Sequence, residues 1–237
     1  MFGLWGKKTI LESGILARGT DNHSHILFGV DDGVKKAEDS LKILKFLEEA
    51  GVETLWLTPH IMEDVPNTTE KLKARFAELQ AMYNGPIVLN LAAEYMMDTL
   101  YSERLAADDL LLHGGERVLI ETSAASPPVD FWGMIDTTMK KGYRPILAHP
   151  ERYLYLRPQD YDRLHDMGVL MQLNLPSVAQ TYGKAVKARA LYLLKKDYYC
   201  MFGSDCHRYR AIETQYNAKV LSKDTVIRLG NIKKGIR

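Results

Sequence analysis

Apolar runs of strand length alternate with amphipathic helical patterns along most of the chain. The seven runs that predict strands are 23–28 ("HSHILF"), 52–60, 87–95, 117–123, 144–152, 170–177 and 198–207. Between them, apolar residues recur at helical spacing, as in Ala37, Leu41, Leu44 and Leu47, and again over 72–83. Continuous apolar strands that alternate with such helices indicate a parallel sheet covered on both faces.

The number of these strand–helix units favours a barrel over an open doubly wound sheet. Seven units of about 30 residues fit an α/β barrel, and the chain carries no GxGxxG or GxxxxGK[ST] motif after its first strand. The sequence has no internal repeat and no linker-like stretch. We therefore expect one domain over residues 1–237, with an N-terminal extension at 1–18 and a C-terminal helix and basic tail at 211–237.

Charge and the distribution of apolar residues exclude several classes of partner. Thirty-one Lys plus Arg balance thirty Asp plus Glu, which leaves a net charge of +1, so no global field attracts nucleic acid or an anionic membrane surface. The N-terminus has no signal-peptide core, and no apolar run reaches the ~20 residues that span a bilayer. The two cysteines are too few for a disulfide framework. We expect a cytoplasmic protein that does not insert into a membrane.

Residues able to bind a metal ion or a phosphate stand where nearly every predicted strand ends. They are His23, His25, His60, Glu94, Glu121, His149, Asp205 and His207. The carboxyl ends of parallel strands are where barrel active sites lie. Residues two apart on a strand point to the same side, so the HxH and DxH pairs can each converge on one centre. Asp31 and Asp32 follow the HxH pair, and a loop there would bring one of them over the same site.

The remaining histidines and the two thiols have no comparable neighbours. His113 and His165 stand apart from the strand ends, so we expect them at the surface. A thiolate phosphatase would need an arginine six residues after its cysteine, but that position holds Cys206 after Cys200 and Ile212 after Cys206. The sequence therefore favours metal chemistry over a cysteine nucleophile.

The segments "DNHSHILFGVDDG", "TPH", "AHPERY" and "SDCH" together resemble the polymerase and histidinol phosphatase (PHP) family. Within this family, the segments resemble the branch of bacterial manganese-dependent tyrosine phosphatases associated with capsule and exopolysaccharide synthesis. The resemblance runs from about Asp21 to His207. It implies a distorted (β/α)7 TIM-like barrel with its metal site at the C-terminal ends of the strands. It also implies a cluster of two or three divalent ions, Mn²⁺ in the first place, with Fe, Zn or Mg as alternatives.

Carried over position by position, the resemblance implies both the metal ligands and the catalytic residues. The implied metal ligands are His23, His25, Asp32, His60, Glu94, Glu121, His149, Asp205 and His207. Arg152 in "AHPER" matches the phosphate-binding arginine of the family, and Asp32 and His207 are assigned to catalysis as well as to metal binding. The second arginine of the family has no match in its usual register, which holds Ile212, so Arg208 and Arg210 both stay candidates.

These residues predict hydrolysis of phosphotyrosine by hydroxide derived from metal-activated water. The resemblance makes a bacterial tyrosine kinase the expected substrate, dephosphorylated on its C-terminal tail. Three alternatives stay open: a small-molecule phosphatase of the histidinol phosphate type, an amidohydrolase, and a non-catalytic metal-binding PHP module. An amidohydrolase usually has a carboxylated lysine where this chain has Glu121, and non-catalytic modules typically lose ligands that this chain keeps.

Overall fold

The computed structural model describes residues 6–233, which fold into parallel strands and surrounding helices. The strands are β1 (Gly19–Asp21), β2 (Val52–Leu57), β3 (His60–Ile61), β4 (Val88–Leu91), β5 (Glu94–Met96), β6 (Arg117–Glu121), β7 (Arg144–Ala148), β8 (Leu170–Asn174) and β9 (Met201–Gly203). The α-helices are α1 (Ala37–Glu49), α2 (Thr69–Met82), α3 (Thr99–Ala106), α4 (Phe131–Lys140), α5 (Pro158–Asp166), α6 (Leu175–Val178), α7 (Gly183–Lys195), α8 (Tyr209–Tyr216) and α9 (Lys223–Lys233). A 3-10 turn at Pro150–Arg152 follows β7.

Every pairing between these strands is parallel, in two sheets of order β1-β2-β4 and β3-β5-β6-β7-β8-β9. The last strand returns to the first, since the Asn22 amide donates to the Phe202 carbonyl at 3.2 Å. A parallel bridge between Ser24 and Cys206 continues this contact. The architecture is a mixed α/β fold with a curled parallel sheet. The helices that follow the strands lie outside it, as the alternating pattern predicts.

The strands differ from the predicted ones in two ways. The first strand is Gly19–Asp21 and precedes "HSHILF", whose first residues continue as an extended segment held by single contacts to the segment after β9. The predicted strands 52–60 and 87–95 are each broken into two short strands. Pro59 lies at the first break, where its missing N–H removes a ladder hydrogen bond. The prediction of seven uninterrupted strands was wrong at these positions.

The two helical patterns examined in the sequence both form helices. Helix α1 buries Ile43, Leu44 and Leu47 on one face, at the spacing that predicted it. Helix α2 begins after Thr68, whose hydroxyl accepts a hydrogen bond from the Lys71 amide at 3.3 Å and so caps the first turn. Helix α1 packs against β2, and helix α2 packs against β4.

The segments before β1 and after β9 pack against the same core. Ile10 and Leu16 are buried, and Lys8 forms an antiparallel bridge with Leu221 just before α9. Residues 1–5 of the expected N-terminal extension and 234–237 of the expected basic tail lie outside the described residues. Within 6–233, no helix is both long enough and apolar enough to cross a membrane.

Candidate metal centre

The HxH and DxH motifs lie side by side where the curled sheet brings its first and last strands together. The Asp205 amide donates to the His23 carbonyl at 2.8 Å, and the His25 amide donates to the Cys206 carbonyl at 3.0 Å. Gly203 makes this approach possible, because a Cβ there would collide with the Cβ of His23. Backbone pairing thus sets all four side chains of the two motifs around one point.

Two site residues have backbone conformations that L-residues rarely adopt. His149, directly after β7, has φ of 35°, and Asp205, two residues after β9, has φ of 51°. Such positive-φ conformations cost roughly 1–3 kcal/mol each and persist where the surroundings enforce them. The surroundings of His149 and Asp205 therefore hold the backbone at two positions that were predicted to bind metal.

Glu94, fully buried at the start of β5, is the centre of the cluster. Its Oε2 lies 3.2 Å from Nε2 of both His23 and His25, and 3.2 Å from Nδ1 of His60. Its Oε1 lies 2.9 Å from Nε2 of His149. One carboxylate therefore contacts four imidazoles, which is the arrangement expected of a carboxylate that bridges two cations.

The side chains form three groups, and within each group the potential ligand atoms lie within 4.8 Å of one another. The groups are His23, His25 and Glu94; His60, Glu94 and Glu121; and His25, Asp32, His60 and His207. Asp205 joins the first, since its Oδ1 lies 3.6 Å from His23 Nε2 and 3.4 Å from His25 Nε2. Ligand atoms each about 2.1 Å from one cation are separated by roughly 3.0–3.4 Å, so these spacings fit a shared ion.

Two buried polar atoms of the cluster lack hydrogen-bond partners. His60 Nδ1 and Glu94 Oε2 are each shielded from solvent and make no hydrogen bond with acceptable geometry among the described residues. Leaving such atoms unsatisfied is costly, and a cation between them removes that cost. Together with the donor set of neutral imidazoles and carboxylates, this indicates that the residues fit divalent metal ions.

The buried carboxylates give the site a strong affinity for positive charge. Burial alone would lower the pKa of His23, but the Glu94 and Asp205 carboxylates raise it to about 9. Burial likewise opposes protonation of His25, yet Asp31 and Glu94 hold its pKa well above the usual value. Burial would raise the pKa of Glu94, but His23 and the neighbouring imidazoles lower it well below its usual range. Divalent ions would satisfy the same negative field.

Several residues that position the ligands were not predicted from the sequence. His23 Nδ1 lies 2.8 Å from Gln172 Oε1, and the Asn174 amide donates to Asp205 Oδ2 at 2.8 Å. Gln172 and Asn174 lie two residues apart on β8, a strand that is otherwise apolar. Their spacing places both side chains on one face, so the sequence did carry a signal of a polar face there. Tyr153, buried, has its hydroxyl 3.2 Å from His149 Nδ1.

The two aspartates of "DDG" have different roles. Asp31 is buried, and its Oδ2 lies 2.8 Å from His25 Nδ1, so it orients the ring rather than facing the cluster. Asp32 is exposed at the outer edge, with Oδ1 3.3 Å from His207 Nε2 and 3.5 Å from His60 Nε2. Gly33 closes the turn, where a Cβ would collide with the His25 carbonyl.

The three arginines predicted to act in catalysis lie at different positions relative to the cluster. Arg152 Nη1 donates to Asp205 Oδ2 at 3.1 Å, and its guanidinium carbon lies 4.9 Å from the centroid of the Tyr182 ring. Arg208 and Arg210 are exposed beyond His207 and line a groove of about 410 Å³ together with Lys35 and Lys42. We call this the His207 groove.

Of the residues expected at the surface, His165 is exposed, but the expectation for His113 was wrong. His113 is 1% exposed and stacks on Trp56 with ring centroids 4.1 Å apart. The ring is held inside because its Nε2 lies 2.9 Å from the Asn22 carbonyl, a long-range contact that the pattern of apolar residues does not encode. Both cysteines are free thiols, and burial raises the pKa of each.

Comparison with known proteins places the chain in a family. Residues 19–224 match the family described as "Capsular polysaccharide synthesis, CpsB/CapC". The chain is 30% identical over 224 residues to the tyrosine-protein phosphatase CpsB of Streptococcus pneumoniae, covering 84% of this chain and 91% of that protein. It is 27% identical over 213 residues to the tyrosine-protein phosphatase YwqE of Bacillus subtilis, covering 86% and 84%.

The fold supports the same relationship. The chain superposes with a TM-score of 0.76 and 25% identity on a chain from the crystal structures of YwqE from Bacillus subtilis and CpsB from Streptococcus pneumoniae, described as unique metal-dependent tyrosine phosphatases. The superposition covers 90% of this chain and 86% of that one. These matches confirm the capsule-associated branch predicted from the sequence motifs. The chain therefore belongs to the CpsB/CapC family.

Proposed function

We propose that this protein is a metal-dependent protein-tyrosine phosphatase. The observation that carries the proposal is the convergence of three potential ligand groups on Glu94 and the three histidines His23, His25 and His60, with Arg152 at the edge of the cluster. A non-catalytic metal-binding module typically loses ligands, whereas this chain keeps the potential ligands and has Arg152 beside them. The similarity to curated tyrosine phosphatases and to a metal-dependent phosphatase structure supports the same conclusion.

The nine residues His23, His25, Asp32, His60, Glu94, Glu121, His149, Asp205 and His207 would hold the ions. Bound divalent ions supply a nucleophile from water near neutral pH and offset the charge of the phosphoryl oxygens. The buried members fix the geometry. Asp32 and His207 lie at the solvent side of the cluster and would face an arriving phosphate. Asp31 and Gln172 orient His25 and His23 through the ring nitrogens that do not face the cluster.

Arg152 would bind the phosphate through two of its donors. Its contact with Asp205 and its position over the Tyr182 ring hold the guanidinium beside the cluster, and its side chain remains 28% exposed. A planar fork of this kind matches two phosphoryl oxygens. Arg208 and Arg210 would contribute positive charge on the other side of His207, where they would meet the chain that carries the phosphate.

Phosphotyrosine suits a site built in this way. A phenol leaving group, with a pKa of about 10, departs without strong general-acid assistance. The His207 groove is lined by four cations, Lys35, Lys42, Arg208 and Arg210, and one carboxylate, Asp39, so its net positive charge suits an acidic segment around the phosphotyrosine. We propose the C-terminal tail of a bacterial tyrosine kinase as the protein substrate and Mn²⁺ as the principal ion, since imidazole and carboxylate ligands accept it.

Three further proposals concern the whole chain. We propose that residues 1–237 form one domain, because the segments before β1 and after β9 pack on one core. We propose that the curled sheet is a distorted (β/α)7 barrel, supported by the return of β9 to β1. The two free thiols are consistent with a reducing, cytoplasmic setting.

We expect phosphotyrosine peptides to be hydrolysed at least about tenfold faster than phosphoserine peptides, because the better leaving group needs only ~1.4 kcal/mol less activation for that ratio. The measurement is kcat/KM for matched peptides and for histidinol phosphate, with Mn²⁺ present. Equal rates for the two peptides, or a preference for histidinol phosphate, would favour a small-molecule phosphatase.

Replacing Cys200 with serine and Cys206 with alanine is expected to leave most of the activity. Burial raises the pKa of both thiols, so neither supplies a thiolate nucleophile at neutral pH. The assay is phosphotyrosine peptide turnover by the double variant, with its metal content and melting temperature checked. Complete inactivity in a folded, metal-loaded double variant would show that a thiol takes part.

A further inference from the structure

A second polar cavity lies at the opposite end of the strands from the metal centre. It has a volume of about 350 Å³. Its walls come from strand beginnings, including Gly19 and Thr20 of β1, Thr54 of β2, Arg117 of β6 and Met201 of β9. Most metal ligands come from strand ends or from the residues after them, and His60 and Glu94 begin β3 and β5, which follow the breaks after β2 and β4. We call this cavity the strand-start cavity; its size is within the range of small-molecule sites.

The side chains of β1, β2 and β4 that line the strand-start cavity are mostly polar. Thr20 pairs with Thr54, and Trp56 pairs with Asn90, so the four side chains stand in two adjacent rows. All four are half-buried, whereas Leu55 and Leu57 on the other face of β2 are fully buried. Side chains inside a curled sheet normally pack against one another. These stay accessible because the cavity separates them from the small apolar cluster that contains Met201.

The cavity is accessible because the sheet is interrupted beside it. β4 pairs with β2, and along the part of the chain that the structure describes no strand pairs with its other edge at Asn90. β6 instead pairs with β5, which begins three residues after β4 ends. Asn90 of β4 and Arg117 at the start of β6 both line the cavity beside this interruption.

Three cations line the strand-start cavity, and its described lining contains no carboxylate. They are Arg18, Arg117 and Lys233. Arg117 Nε donates to the Gly114 carbonyl at 3.1 Å, and Lys233 Nζ donates to the Ala17 carbonyl, so their contacts hold the side chains in place without neutralising their charge. A concave site with uncompensated positive charge concentrates anions.

His113 and Trp56 form one wall of the cavity. His113 is buried, its Nε2 lies 2.9 Å from the Asn22 carbonyl, and its Nδ1 has no hydrogen-bond partner among the described residues. Burial lowers the pKa of His113 to about 4, so the ring is neutral and the three cations alone supply the charge. The stacked indole of Trp56 offers an aromatic face, as ligand sites commonly do.

We propose that the strand-start cavity binds a small organic anion that carries a phosphate group. Arg18, Arg117 and Lys233 would bind the phosphate, since such cations are the usual phosphate partners in proteins. Asn90 and the threonine hydroxyls of Thr20 and Thr54 would bind hydroxyl groups of the ligand. The Trp56 ring would contact a ring of the ligand. This site is separate from the metal centre, and the proposal holds whatever the metal centre hydrolyses.

The test uses Trp56 as the reporter. The chain has three tryptophans, so replacing Trp5 and Trp132 with phenylalanine leaves Trp56 as the only one. The metal-loaded protein is titrated with inorganic phosphate, with a hexose phosphonate and with an adenosine phosphonate, while Trp56 emission is recorded. Phosphonates are used because their P–C bond resists hydrolysis at the metal centre. The two organic probes distinguish a sugar source of the ligand from a nucleoside source.

The variants Arg117→Gln and Arg144→Gln form a matched pair. Arg144 pairs with Arg117 at the start of the neighbouring strand, but it does not line the cavity, and its Nε donates to the Gly168 carbonyl at 3.3 Å. We expect a saturable change in Trp56 emission with at least one phosphonate. The dissociation constant should rise at least about tenfold in Arg117→Gln, because this variant loses a charge-assisted hydrogen bond to the ligand. It should stay unchanged in Arg144→Gln.

Hydrolysis of p-nitrophenyl phosphate by Arg117→Gln should remain at the wild-type rate, because Arg117 lies away from the metal centre, and its melting temperature verifies folding. No saturable signal with any of the three probes would overturn the proposal. So would an equal affinity in the folded Arg117→Gln variant, or binding of inorganic phosphate only.

Discussion

Replacing Glu94 with glutamine is expected to remove both bound metal and activity, with turnover falling by about 10³-fold or more. Glu94 belongs to two of the three ligand groups and contacts four imidazoles. The amide keeps the shape of the side chain but loses its charge and one acceptor oxygen. Because bound ions supply several kcal/mol of transition-state stabilisation, and each 1.36 kcal/mol is tenfold in rate, a loss of this size follows.

The control for this variant is Glu116→Gln, an exposed glutamate just before β6 that lies outside the three ligand groups. Metal content by elemental analysis, peptide turnover and a thermal melt are measured on both variants. Glu116→Gln should match the wild type in all three. A folded Glu94→Gln variant with full metal content and full turnover would contradict the central position assigned to this carboxylate.

Replacing Arg152 with alanine is expected to lower turnover by about 10²–10³-fold while metal content stays near the wild-type value. Arginine offers no lone pair to a cation, and a donor aimed at developing charge is typically worth this much, by analogy with oxyanion-hole deletions. Arg152→Lys should recover little, because a point charge replaces a two-pronged donor. His149→Ala should lose metal and activity together.

Arg157→Ala provides the matched control, since Arg157 lies five residues further along, is 70% exposed and pairs with Asp160. Its turnover should equal that of the wild type. Steady-state kinetics beside metal stoichiometry for the four variants separates loss of metal from loss of phosphate binding. A fully active Arg152→Ala enzyme would remove Arg152 from the site.

The sequence allowed the cluster to be anticipated because parallel strands end at one edge of a sheet. That rule alone brings His23, Glu94, His149 and Asp205 together although they are far apart in the chain. The helical spacing over Ala37–Glu49 was equally informative, since one buried face repeats at the period of an α-helix.

Features that depend on long-range contacts could not be predicted in the same way. The first strand lies before the HxH motif because Gly19–Asp21 pairs with β2, which local pattern does not reveal. His113 is buried against the Trp56 ring, and the prediction that it lies at the surface was wrong because it rested only on its position apart from the strand ends. The alternation of Gln172 and Asn174 on β8 signals polar residues inside the protein, but it does not reveal that Gln172 contacts His23, which is 149 residues away in the chain.

The most direct test of the account is the dependence of phosphotyrosine peptide turnover on bound metal. One preparation is assayed before dialysis against a strong chelator, after it, and during titration with Mn²⁺, with metal content measured at each step. The account predicts that turnover disappears as the metal is removed and returns as the three ligand groups are refilled. Undiminished turnover in folded protein that is verified to be free of metal would contradict it.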